Sequence, residues 1–260
     1  MTGAPLADIR SRRVAKALPV SEAWVAASAD GAAIGTHHTE LHVLGPPVEG
    51  ANCLASDGPS NDQDNHHRRG ILVFDGHALI SRRYAIDWMQ SENGSTFSGD
   101  PLDKRSYYSY GKAVLAVADG RGVTAKDGLP ENVPGHNEGF HPAIPITPET
   151  VGGNTITLDL GGGHFARYLH LQPDSLRVKS GEPVRRGQIL ARIGNSGDAR
   201  APHLHCQVST SSKQLAGDGV PYLIEQYPLK SADNAWQIRT RELPLTDALI
   251  DFGQVRGNLK

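Results

Sequence analysis

The sequence predicts an all-β fold, mainly antiparallel and with little helix, and three observations carry that expectation. Its 29 glycines and 17 prolines are scattered through 260 residues rather than set in tandem, so the apolar runs between them are short. Asp-Gly pairs at 30–31, 75–76 and 119–120 sit between such runs, and Asp-Gly is a strong signal for a tight hairpin turn. Helical periodicity is nearly absent; PLTDALIDFGQ near the C-terminus allows at most a short turn or strand.

Taken in order, residues 14 to 45 alternate loosely around Asp30-Gly31 (AWVAASADGAAIG, then ELHVLG) and predict a first hairpin. GPPVEG at 45 to 50 marks a boundary. ILVFDGHALISRRYAIDW predicts a second hairpin across Asp75-Gly76, whose far ends should meet. AVLAVADGRGVTA (113 to 125) repeats the strand, turn, strand pattern, and NTITLDLGGGHFARYLHLQ (154 to 172) offers two strands around three glycines. VKSGEPVRRGQILARIGNSG (178 to 197) reads as tight turns between very short strands. Residues 126 to 153, rich in proline and without periodicity, read as a long surface loop of the kind that is often functional. The expected organisation is an N-terminal β-rich segment or partial module at 1–44, a main domain at 45–228 and a C-terminal strand or tail at 229–260.

The 26 Lys+Arg against 28 Asp+Glu give no basic excess, which argues against nucleic acid or an anionic membrane as partner. Two cysteines, Cys53 and Cys206, are too few for a disulfide framework, and one bridge between them stays undecided. MTGAPLADIRSRRVAKALPV lacks the apolar run of a signal peptide, and no stretch is long enough to span a bilayer. The expectation is a cytosolic protein or one that begins after a removed leader.

Chemistry concentrates in RAPHLHCQV (200 to 208). On a strand, residues two apart share a face about 6.5 to 7 Å apart, so His203 and His205 can lean toward one point. His170, in ARYLHLQ, offers a third imidazole, with Tyr168 two residues earlier on the same predicted face as a possible oxyanion donor. Asp87, in RRYAIDW, is a carboxylate on a largely apolar strand, costly there unless paired or ligating, the plain alternative being an ion pair with Arg82 or Arg83. A catalytic zinc commonly takes three protein ligands and leaves one open position. Candidates for the remaining ligand are His66, His67 and His77. An extended strand would hold His77 about 33 Å from Asp87, which excludes it. Face parity leaves His66 and His67 tied, because the register depends on the turn length. Cys206 should point away from the metal and pack. His37, His38, His42, His136, His141 and His164 read as exposed or locally bonded, and Arg10, Arg12, Arg13, Arg185 and Arg186 as solvated charge.

The stretch YLHLQPDSLRVKSGEPVRRGQILARIGNSGDARAPHLHCQV closely resembles the core of the lysostaphin-type (LytM-type) zinc metallopeptidases, which cut peptide cross-links in bacterial peptidoglycan. YGKAVLAVADGRGV is similar to the glycine-punctuated strands before that core, and the resemblance covers roughly residues 45 to 228. Y-x-H-L, V-x-x-G-x-x-V-x-x-G-Q, G-N-S-G and P-H-L-H are specific as an ordered set. The resemblance implies a glycine-rich, barrel-sandwich-like β core, one zinc ion per chain, a peptide substrate and an extracytoplasmic setting. It makes Asp87 and His205 ligands and His170 and His203 the catalytic pair. The family's H-x-x-x-D histidine is missing, since position 83 is arginine. HHRRGILVFDGHALISRRYAIDW instead resembles a divergent branch with an HRR segment, an inserted hairpin and then the aspartate strand. That resemblance breaks the tie toward His67, with His66 as the alternative. Two other readings use similar motifs: a catalytically silent wall-binding or regulatory relative, and a phosphocarrier-like histidine domain, for which Asp87 and the H-x-H pair would have no task.

Overall fold

Short runs such as NTITLD (154–159) and LHCQVS (204–209) place apolar side chains at alternate positions, the pattern of a strand with one face in a core, and both form strands. The computed structural model describes residues 16–20, 23–27, 40–62, 64–135, 139–231 and 233–253. The chain divides into two compact units, Met1–Glu40 and Leu41–Lys260. In the first, β1 (Lys16–Val20) pairs antiparallel with β2 (Ala23–Ala27). The expected turn at Asp30-Gly31 lies outside the described residues, as do His37, His38, His136, Arg10, Arg12 and Arg13.

The second unit begins β3 (His42–Leu44), β4 (Cys53–Ser56), α1 (His66–Arg69), β5 (Leu72–Phe74), β6 (His77–Leu79), β7 (Ile86–Gln90), β8 (Ala113–Leu115) and β9 (Gly120–Lys126). It continues β10 (Asn154–Asp159), β11 (Phe165–Leu171), β12 (Pro183–Val184), β13 (Ile189–Arg192), β14 (Leu204–Ser209), β15 (Tyr222–Lys230), β16 (Trp236–Glu242) and β17 (Ala248–Ile250). One sheet dominates, in the order β12-β9-β10-β11-β14-β7-β4-β17-β15-β16, with β3 added beside β15. Its ladders are antiparallel except β3–β15, so the all-β, mainly antiparallel expectation holds. ELHVLG does not close a hairpin on the preceding strand: β3 takes its partner from β15. Among the described residues, no helix is long and apolar enough to cross a membrane.

The centre of this sheet has two different faces. Ile86 and Trp88 of β7, Tyr168 of β11 and Leu204, Cys206 and Val208 of β14 belong to one buried apolar cluster. Full burial of such side chains is worth about 1.5–3 kcal/mol each. Asp87, His205 and Gln207 alternate with them and point to the other face. Tyr168 is therefore a core residue: it is fully buried and its hydroxyl accepts a hydrogen bond from the Val117 N–H at 2.9 Å. The expectation that it shares a face with His170 fails for a local reason. His170 has φ +64°, a left-handed conformation that costs a non-glycine residue on the order of 1–2 kcal/mol. That turn breaks the strand alternation, so Leu169 and His170 both line the same cavity. Two backbone bonds hold it, His170 N–H to Gly152 O at 2.9 Å and Gly194 N–H to His170 O at 3.1 Å. Cys53 and Cys206 are buried free thiols.

The second predicted hairpin forms but is short. β5 and β6 pair across Asp75-Gly76, with Leu72 opposite Leu79 and Phe74 opposite His77. It does not run on into β7, which pairs instead with β14 and β4.

Candidate metal centre

Register brings the site together. His205 of β14 lies directly opposite Asp87 of β7, and on the other side of β14 it faces Leu169 of β11. Ser56, at the end of β4, is the other partner of Asp87, and the chain beyond it leads through Asp57 to α1. The Asn65 side chain caps this four-residue helix by accepting from the Arg68 N–H at 3.0 Å, and its Nδ2 donates to Gly58 O at 2.8 Å. Residues 66 to 69 are thus helical rather than the far end of a strand. Neighbours on a helix differ by about 100°, so the parity rule that would place His66 and His67 on opposite faces does not apply. Both rings reach Asp87: His66 Nε2 lies 3.7 Å from Oδ2 and His67 Nε2 lies 3.5 Å from Oδ1. His77 is exposed on the separate hairpin.

The two neighbours differ in setting. The His66 side chain is 41% exposed, with its Nδ1 3.3 Å from Asp57 Oδ1, whereas the His67 side chain is 1% exposed. Donor atoms of His66, His67 and Asp87 all lie within 4.8 Å of one another. His205 joins them through Nδ1, 2.9 Å from Asp87 Oδ1, and His203 Nε2 stands 3.6 Å from the same oxygen. His170 completes the group, its ring centroid 4.8 Å from that of His203 and 6.1 Å from that of His205. The predicted ligands and the predicted catalytic pair are therefore present in one cluster, and Tyr168 is outside it. The ion-pair contacts of Asp87 are with histidines, and neither Arg82 nor Arg83 is among them.

Fixed acceptors decide which ring nitrogens carry hydrogen. A carbonyl oxygen can only accept, so His67 Nδ1–H donates to Asp57 O at 2.9 Å, His203 Nδ1–H to Ala201 O at 2.8 Å and His170 Nδ1–H to Ser196 O at 2.8 Å. Gln207 sets His205 in the opposite sense. Its Nε2 donates to Ser81 O at 2.8 Å, which leaves Oε1 to accept from His205 Nε2–H at 2.8 Å. In their neutral forms, His67 Nε2, His203 Nε2 and His205 Nδ1 thus turn lone pairs toward one carboxylate. Lone pairs facing an anion repel unless a proton or a cation lies between them, and His67 Nε2 is buried without a hydrogen-bond partner. The donor set of imidazole and carboxylate suits a zinc ion.

The electrostatics agree. Burial opposes charge on Asp87, but His203 and His67 facing it, with His205 Nδ1 at 2.9 Å, hold its carboxyl well below the usual range. Burial also pulls His67 down, yet Asp87 beside it leaves it raised overall. His205 is lowered by burial despite Asp87, and His170 is lowered strongly by burial with His203 and His205 close by. A cavity of about 430 Å³ opens over these groups, lined also by Arg82, Arg167 and Gln214.

Sequence reasoning missed the orienting groups, of which Gln207 is the clearest. Its signal was available: H-x-H-x-Q puts a third polar side chain on the His203 and His205 face of the same strand. The carbonyls of Asp57, Ser196 and Ala201 leave no trace in residue identity.

Residues 106–216 match the sequence model of peptidase family M23, a segment that contains His170, His203 and His205 and begins after Asp87. The chain is 29% identical over 129 residues to the peptidoglycan DD-endopeptidase ShyA of Vibrio cholerae, covering 49% of this chain and 26% of that protein. It is 41% identical over 75 residues to lysostaphin of Staphylococcus simulans, covering 28% and 15%. The chain thus spans about a quarter or less of the length of these relatives. The catalytic domain of S. simulans lysostaphin overlays with a TM-score of 0.33 and 23% identity, over 62% of this chain and 82% of that one, too loosely to add to the sequence match.

Proposed function

From the match of residues 106–216 to the sequence model of peptidase family M23, we propose that this chain is a zinc-dependent endopeptidase acting on peptide cross-links of bacterial peptidoglycan. The observation that carries the reading is the convergence of imidazole lone pairs on the buried Asp87 carboxylate. His67 through Nε2, Asp87 and His205 through Nδ1 would hold one zinc ion per chain. Three protein ligands leave a position open for water or substrate. His66, half exposed and beside Asp57, stays outside the ligand set. The peptidase domain is assigned to residues 45–228, flanked by the segments 1–44 and 229–260. The substrate class is that of ShyA, and such a substrate places the working enzyme outside the cytoplasm.

Zinc in this position supplies Lewis acidity toward the scissile carbonyl and a water acidified toward neutral pH. The remaining work falls to His203 and His170. Each keeps its Nδ1–H on a backbone carbonyl and offers Nε2 to the cavity, so neither ring needs to reorient to exchange a proton. Burial keeps His170 neutral at neutral pH and able to accept. One imidazole takes the proton of the attacking water and returns it to the departing amine nitrogen. The other, when its Nε2 has taken up a proton from solvent, donates a hydrogen bond to the developing oxyanion and returns that proton to solvent after turnover. The left-handed backbone at His170 is strained so that this ring can join the group.

The test is digestion of purified peptidoglycan by the metal-loaded chain, with a chelated control, read by mass. New amine and carboxyl ends that form only with metal are expected. Zinc-loaded, folded protein that leaves the wall intact would refute the endopeptidase reading.

A further inference from the structure

The cavity floor continues past the histidines to a buried arginine that no acid among the described residues pairs with. Gln207 lies two residues beyond His205 on β14, and Arg167 of β11 is its direct register partner. Two residues along a strand are about 6.5–7 Å, so Arg167 stands one or two substrate residues away from the Asp87–His205 pair. It is 3% exposed and lines the cavity. Its Nη2 donates to Ser211 O at 2.7 Å and also to Lys213 O, while its Nε–H is buried with no acceptor among the described residues.

No carboxylate pairs with it among the described residues, although the same wall holds three. Asp87 faces the histidines, Asp57 has His66 beside it, and Asp198 pairs with Arg200 at 3.7 Å. Arg82 Nε and Gln214 Nε2, on other parts of the lining, are likewise buried donors without acceptors. Burial pushes the Arg167 guanidinium down to about 10, which still leaves it charged at neutral pH. A buried charge without a counter-ion is costly, and a guanidinium is matched in shape and charge by a carboxylate.

We infer that Arg167 forms a subsite for a carboxylate of the bound peptide, either a terminal carboxylate or an acidic side chain, beside the metal centre. The inference rests on the peptidase reading for the identity of its ligand as a peptide. Recognition acts on binding, so its mark is a preference for acid over amide in otherwise identical peptides.

Equilibrium binding to the full chain decides it, using acetyl-Ala-Ala-Ala with a free acid or an amide end, and amide-capped acetyl-Ala-Glu-Ala against its Gln counterpart. Hydrogen bonds to charged groups are worth about 1.5–3 kcal/mol, so the acid of one pair should bind about 10- to 100-fold tighter. The pair that shows the preference identifies the source of the carboxylate. In Arg167→Gln the ratio should fall close to one, which separates this subsite from an acid that merely touches the metal. Arg167→Lys should restore part of it. Equal binding of acid and amide in both pairs would overturn the subsite, as would a preference that survives in Arg167→Gln. If Arg167→Gln does not fold, the wild-type ratios and Arg167→Lys still decide. A wall left undigested while the acid preference stands would count against the peptidase reading alone.

Discussion

The middle and the far edge of the main sheet use polar side chains in opposite ways. On β14 every residue is buried, and its polar members His205, Gln207 and Ser209 are held by fixed partners on β7, in the turn at Ser81 and at Ser211. On β16 every residue but the half-buried Arg239 is exposed, and its contacts include an Arg239–Glu242 pair at 3.9 Å whose carboxylate side is open to water. Both strands belong to one sheet, so backbone pairing does not separate them. The difference is that buried imidazoles and a carboxylate lose their hydration and must be satisfied by protein or ligand, whereas exposed charges keep theirs. A dry polar cluster marks a site, and a wet one marks a surface.

That contrast can be broken at several points. The largest effect is expected at His203: His203→Ala should retain zinc yet lose about 10²- to 10⁴-fold in turnover, the usual contribution of a positioned acid or base. Wall digestion rates measured beside metal content check this, and unchanged turnover would remove His203 from the chemistry. Next comes Gln207→Ala, which frees His205 to adopt the wrong tautomer. Zinc affinity should fall about 10- to 100-fold, since outer partners of a ligand typically matter by that much. Competition with a chromogenic chelator measures it, and an unaltered affinity would mean that Gln207 only packs.

Smaller changes should follow away from the site. Burial pushes the Cys53 thiol up to about 12. Because that folded value is raised, the contribution is complete below the unfolded thiol value near pH 8.5–9 and is lost as pH rises toward the folded one. Stability should therefore decline with rising pH above about 9, and less steeply in Cys53→Ala; parallel slopes in denaturant titrations would contradict this. The smallest effect belongs to β16, where Glu242→Ala, which removes the exposed partner of Arg239, should change stability by no more than about 0.5 kcal/mol. A larger loss in thermal unfolding would show that the edge is not merely solvated.

Much of the site was legible because it rests on short-range pattern. H-x-H on a strand fixes two rings on one face, and an aspartate between Ile86 and Trp88 announces a charge that needs a partner. The alternation that put Cys206 in the core also put His205 and Gln207 on the face that carries Asp87. What escaped depended on backbone turned by distant contacts. Nothing in YLHL predicts that His170 adopts a left-handed φ, which is held by carbonyl and amide groups of Gly152 and Gly194. The helical turn at 66–69 depends on Asn65 reaching back to Gly58, a tertiary bond with no periodic signature. The resemblance to a known family, rather than periodicity, separated His67 from His66.

The most direct test is the zinc content of Asp87→Asn beside the wild-type chain, with circular dichroism confirming that both are folded. Asn keeps the size of the side chain but removes the negative charge on which the three lone pairs converge. The expected result is one zinc per wild-type chain and essentially none in the folded variant. Full zinc occupancy in folded Asp87→Asn would contradict the metal centre described here.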